Sequence, residues 1–322
     1  MNMTKKIFLI ALLACGMLAC EEKNQPEQPQ PETTEPEQPQ QPQEPQEPEN
    51  MLSAYFINPV AWNGVFVEVS NAFIGYEPNG TWPAELTVEY GDSTIGADGL
   101  EHSGSLRIMA TAMLEDEGAI ITPNFEHYKV YGSSFSGRQT ITNTGKNEAG
   151  NITFTVTVAD GILGGYQEFV YSENTLRELV SGLGEDGRLV PELSEQAYKI
   201  TGQMKMRSAV DTIPGYELTI DSVQPMLISL GELYPTGGEM TIQLDQPIEL
   251  DMSSMGGESG FSFNGTVSIQ TIKLAFTGKT AAGNYGAKMV ITLQMGFFAY
   301  DLTIQCEMNE DGVIPESIQY QM

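Results

Sequence analysis

What most restricts the folds open to this chain is a period-two alternation of apolar and polar residues that returns throughout residues 51–322. In LRIMATAML, Leu106, Ile108, Ala110, Ala112 and Leu114 alternate with Arg107, Met109, Thr111 and Met113. In NITFTVTV, Ile152, Phe154, Val156 and Val158 share one parity, and Asn151 with three threonines holds the other. EMTIQLD, IELDM, FSFNGTVSI and KMVITLQM repeat the theme, with GKNEAGN, ADG and NEDG between such runs. Successive side chains of a strand point to opposite faces, so this pattern describes sheets with one face on a core and one in water. The predicted fold class is all-β, with antiparallel sheets arranged as a sandwich or barrel.

Only NTLRELVSGLG reads as a helix: Thr175 and Glu178 are spaced as a capping box, and Gly182 is a natural stop. With the loop GEDGRLVPELSEQ it falls near the middle of the folded region. The expected organisation is therefore a β unit over 51–171, a helix and linker over 172–197, and a second β unit over 198–322. YKVYG (Tyr128 to Gly132) and YKITG (Tyr198 to Gly202) form a faint internal echo.

Ahead of this region lie two segments of different character. Lys5 and Lys6 precede an apolar run from Ile7 that is too short for a spanning helix and fits a secretory signal over residues 1–19. Ala19 before Cys20 resembles a lipobox, where bacterial lipoproteins are cut and the new N-terminal cysteine acylated. Cys15 competes, but cleavage there would leave the apolar stub GMLA exposed, so Cys20 is the expected lipidation site. Glu21 to Asn50 then holds nine glutamates, eight prolines and one lysine. Such a segment has no apolar surface to bury and predicts a disordered tether leaning toward polyproline II, reaching roughly 90 Å at about 3.1 Å per residue. Membrane attachment is thus expected through acyl chains. The EEK after Cys20 resembles the acidic export signal of Bacteroidetes surface lipoproteins, which implies the outer membrane, facing the cell exterior.

The formal charge of −28 excludes nucleic acid as a partner, because a surface of that sign repels phosphate. With Cys20 acylated, Cys15 removed in the leader and Cys306 the third cysteine, the mature chain has no pair for an internal disulfide. The alternation in YDLTIQCEM puts Cys306 on the apolar side with Tyr300, Leu302, Ile304 and Met308, as a small buried hydrophobe.

Three motifs carry a family resemblance: Tyr128 to Gly132 (YKVYG), Gly137 to Asn143 (GRQTITN) and Asn151 to Val158 (NITFTVTV). They resemble the YxVxG, GxxT[IV]TN and NxTFxVxV motifs of a group of Bacteroidetes lipoproteins without an assigned activity. The resemblance implies a surface address and a β fold, and it brings no catalytic residue.

A search for chemistry is mostly negative. His102 (LEHSGS) and His127 (NFEHYK) stand apart, with only Glu101 and Glu126 beside them, and no Gly-x-Ser-x-Gly elbow is present. Acidic pairs such as Glu115 and Glu117 sit in turn-like segments of an acidic chain, and none matches a spaced calcium loop. No metal, cofactor or catalytic residue is expected, and the chain is read as a binding protein rather than an enzyme. Trp62, Tyr76 and Trp82 lie in or beside turn-rich segments, and with Asn79 for hydrogen bonding they are the candidate platform for a sugar. The alternative for each Trp is a cap on the end of a sheet. The methionines of the second unit, Met204 to Met308, either fill a core or line a pliant cavity for an apolar ligand. The leading expectation is a lipid-anchored binding module for carbohydrate. A structural or adhesive envelope component with a protein partner comes next, then a lipocalin-like carrier. Coplanar loop aromatics, an associating free edge strand and a hollow barrel are the respective distinguishing features.

Overall fold

The computed structural model describes residues 64–76, 81–97, 100–130, 132–164, 168–208, 215–230, 232, 234–251, 266–309 and 312–321. The leader, Cys20, the tether, Trp62 and Asn79 lie outside the described residues. The alternation is realised as one 15-stranded sheet, antiparallel at every pairing. Its strands are β1 (Ala84–Ile95), β2 (Glu101–Ala110), β3 (Ile120–Val130), β4 (Ser133–Lys146), β5 (Ile152–Gly164), β6 (Phe169–Ser181), β7 (Ala197–Ser208), β8 (Tyr216–Ile220), β9 (Met226–Ser229), β10 (Gly238–Asp251), β11 (Thr266–Lys279), β12 (Tyr285–Met295), β13 (Phe298–Asn309), β14 (Gly312–Val313) and β15 (Gln319–Gln321). They pair in sequence order, except that β8 runs directly to β10, β9 pairs β7 and β15 pairs β13. Parity predicts burial well. Ile152, Phe154, Val156 and Val158 are buried along β5, and Leu302, Ile304, Cys306 and Met308 along β13. At about 1.5–3 kcal/mol for each fully buried large apolar side chain, these rows are the main source of cohesion.

The predicted helix is a strand. Residues 174–181 belong to β6, where Thr175, Arg177 and Leu179 face inward and Leu176 faces water. The β6–β7 ladder runs from Phe169 opposite Ser208 to Ser181 opposite Ala197, so hydrogen bonding continues across the expected seam. The linker contributes a single 3-10 turn, Leu193–Glu195.

A helix does form, near the N-terminal end of the described residues, where none was expected. Residues 64–73 make α1, with Val65, Phe66, Val67, Glu68, Val69, Ser70 and Phe73 all buried. Burial on every side requires walls on every side. Tyr90 of β1 bonds Glu68, while Phe66 meets Phe154 of β5 and Tyr198 of β7 edge-on at 5.9 and 5.3 Å. The first seven strands therefore curl about α1. The core is one connected cluster reaching from Val65 to Met308.

One cross-strand row shows how the interior changes along the sheet. Gln139, Val158, Glu173, Met204, Leu218, Ile242, Ile272, Ile291 and Leu302 are partners in succession from β4 to β13, and all are buried. The row begins polar and ends wholly apolar.

Candidate functional site

Two buried polar clusters pack against α1. In the first, the Tyr90 hydroxyl donates to Glu68 Oε2 at 2.6 Å, and His102 Nδ1 lies 2.7 Å from the Tyr128 hydroxyl. Tyr90 and His102 stack, with centroids 4.9 Å apart and 23° between their planes. Gly96 closes over them. A Cβ there would lie 2.6 Å from Glu68 Oε1 and 2.7 Å from His102 Nε2, so only glycine lets the backbone come this near. The expectation that His102 stands without partners is corrected: β2 and β3 bring Tyr128 to it across a ladder, at a sequence distance that local spacing does not reveal. His127 is exposed, in left-handed backbone at φ 52°.

The second cluster centres on Glu173. Its Oε1 accepts from Thr175 at 2.5 Å and from Arg177 Nη2 at 3.0 Å, and its Oε2 accepts from Tyr171 at 3.0 Å. The Arg177 guanidinium also lies 4.3 Å from the Phe66 ring centroid, which ties the strand to the helix. Burial first, and the Glu173 charge second, push the Tyr171 hydroxyl well above the ordinary tyrosine value of 10.0. Burial likewise pushes Tyr198 up. Every ionisable member of both clusters is sealed from solvent and bonded within the protein. Their geometry fixes α1 against the strands.

The predicted sugar platform is only partly within the described residues. Tyr76 and Trp82 meet, but at 61° between ring planes with centroids 6.3 Å apart, and Tyr76 meets buried Phe73 at 77°. Both rings are half-buried and pack on the core at the end of α1. The pair presents no common flat face.

Among the described residues the most exposed aromatic surface lies elsewhere, on the β12–β13 hairpin. Gly296, at φ +57°, takes the first central position of a two-residue turn, where a type II′ geometry demands glycine. Beside it Phe297 is 104% exposed, Phe298 66% and Tyr300 51%. Phe298 and Tyr300 share the parity of buried Leu302 and Ile304, so they continue the core face past the point where the core ends. Opposite them stand half-buried Met295 and Leu293. Sequence reasoning assigned Tyr300 to the apolar side of this strand and missed its exposure. The available signal was GFFA: two phenylalanines at a turn, where polar residues are the rule.

On the outer face of β13 are two shallow hollows of about 260 and 250 Å³ that share Gln305 and Gln319. Both fall below the roughly 300–1,000 Å³ usual for small-molecule sites. Among the described residues, no group of three or more His, Cys, Asp or Glu is placed to hold a metal, and no helix is long and apolar enough to cross a membrane. Of the methionines expected either to fill a core or to line a cavity, Met204, Met206, Met226, Met289 and Met308 are buried and Met240 and Met295 half-buried, while Met252 and Met255 lie outside the described residues. The chain matches no protein-family model, no curated protein and no solved structure.

Proposed function

We propose that this chain is a lipoprotein held at the outer-membrane surface through Cys20, facing the cell exterior, and that it serves the envelope in a structural or adhesive role by binding a macromolecular partner. The observation that carries the reading is the aromatic hairpin. Three large apolar side chains in four residues stand in water, whereas the other exposed large apolar residues among those described, such as Ile95 and Val223, are scattered singly, and contiguous exposed apolar surface of this kind marks an interaction site. The leader and the long acidic tether support the address, since they supply an anchor and a spacer.

Carbohydrate is the second reading, favoured by the exposed part of Trp82. The two are separated in cells carrying the full-length lipoprotein with a photo-crosslinking phenylalanine analogue at Phe298, and with a control at exposed Glu89 on β1. We expect a discrete protein adduct from Phe298 alone, lost when Tyr300 is also changed to Ser. Adducts at neither position, together with glycan capture that Trp82→Ala abolishes, would replace this reading with the carbohydrate one. Acyl labelling should disappear in Cys20→Ser and persist in Cys15→Ser.

A further inference from the structure

The two borders of the sheet differ in a way that bears on how a partner is held. Strand β1 bonds only β2 among the described residues, and its ladder is broken by register shifts at Glu89/Gly91 and Gly91/Thr94. Glu85, Glu89 and Asp92 project along it. Bulges and charges are the usual means of blunting an edge against unwanted pairing. The far border is built otherwise. Strand β15 covers β13 only at Thr303 to Gln305, and β14 only at Met308 and Asn309. Residues 298–302 of β13 pair β12 on one side, and no described residue pairs them on the other. They show no register shift. The lane that β15 occupies thus runs on past its last described residue, Gln321, beside the exposed rings of Phe298 and Tyr300.

Resting on the binding function proposed above, we propose that residues 298–302 of β13 are the seat for an added strand. An extended, positively charged segment of an envelope partner would prolong the β15 lane. In an antiparallel strand alternate residues turn their N–H and C=O groups toward each neighbour, so this lane offers main-chain bonds. The rings of Phe298 and Tyr300 offer apolar contact to every second side chain of the incoming strand. The charge of the occupant follows from its surroundings. Residues 290–322 contain Asp301, Glu307, Glu310, Asp311 and Glu316 and no Lys or Arg. A second copy would bring the same acidic strip and the same −28, and anionic headgroups are repelled for the same reason.

The test uses the full-length chain in detergent and a capped octapeptide of alternating Val and Lys. Amide hydrogen exchange at 298–302 should slow about tenfold at saturating peptide, and the slowing should weaken as salt is raised. The same peptide N-methylated on alternate residues should give no slowing, nor should a Val/Glu peptide. Asp301→Lys should weaken the Val/Lys peptide about fivefold and admit the Val/Glu one, at the scale of one exposed charge pair. Protection that maps to β1, equal protection by the N-methylated peptide, or none at all would overturn the proposal. So would tight binding of the Phe297–Tyr300 tip to vesicles of zwitterionic lipid, which would assign the tip to a membrane. A Phe298 adduct in cells without peptide protection in vitro leaves the binding function standing and removes only the strand-addition mode.

Discussion

The strands that enclose α1 and those that follow them are made from the same alternation but hold their interiors together differently. In the first region the inward row carries Gln139 and Glu173, and around it lie buried Glu68, His102, Thr175 and Arg177. From Met204 onward the row is Met, Leu, Ile, Ile, Ile and Leu, and among the described residues the last buried polar side chain is Gln196. Apolar burial is non-directional, whereas buried hydrogen bonds tolerate one geometry. A helix inside a curled sheet needs a defined rotation and depth, and Tyr90, Arg177 and their partners supply it. Among the described residues of the second region no helix is enclosed, and the interior is filled by pliant Met, aliphatic and aromatic side chains, Tyr216, Phe276 and Tyr285 among them. Its distinctive feature is outward, where the core face runs on into Phe298 and Tyr300.

Alkali should expose this difference most strongly. Folded-state values for Tyr171 and Tyr198 lie above the unfolded value of 10.0, so the stability they contribute is complete below pH 10 and is lost as pH rises through the folded values. Following tyrosinate absorbance beside peptide circular dichroism above pH 10 should show unfolding that starts in β1–β7. Loss that begins in β8–β13 would break the comparison. Next in size is Glu173→Ala, which leaves a buried guanidinium without its carboxylate and should cost ~3–5 kcal/mol in urea unfolding. The paired change Glu173→Leu with Arg177→Met should recover most of that. Leu218→Ala, at the apolar end of the row, should cost ~3 kcal/mol through transfer and cavity alone, with no rescuing polar partner. His102→Gln should cost ~1–3 kcal/mol, since the Tyr128 hydroxyl would be left buried with a poorer partner. The smallest effect is expected at Phe297→Ser, within ~0.5 kcal/mol, because that ring is in water already.

The same contrast explains what the sequence disclosed. Where inward positions are apolar and outward ones polar, as in β5 and the lower part of β13, parity placed the whole apolar row inside, although Thr153 of the polar row is buried as well. It misled where the interior is polar. In β6 the inward residues are Glu173, Thr175 and Arg177, while Leu176 faces solvent, so no apolar alternation marked the strand, and Thr175, Glu178 and Gly182 read as the cap and stop of a helix. In α1 the opposite happened. A helix buried all round has no polar stripe to show a 3.6-residue period, and its valines at 65, 67 and 69 counterfeit a strand. The hairpin tip escaped notice because parity tells which face a residue belongs to, and not where along the strand the covering core stops.

The sequence-order pairing of the strands also governs the order in which this chain can become stable. Nearly every ladder joins neighbours in the chain, a topology of short loop closures that forms quickly hairpin by hairpin. Helix α1 is the exception: Phe66 waits for Phe154 and then Tyr198 before its ring is enclosed. A chain emerging N-terminus first therefore carries an unsheltered apolar segment until β7 has appeared. After that, each later hairpin adds to a finished edge. The interval between residues 66 and 198 is the span over which a holding chaperone has most to protect.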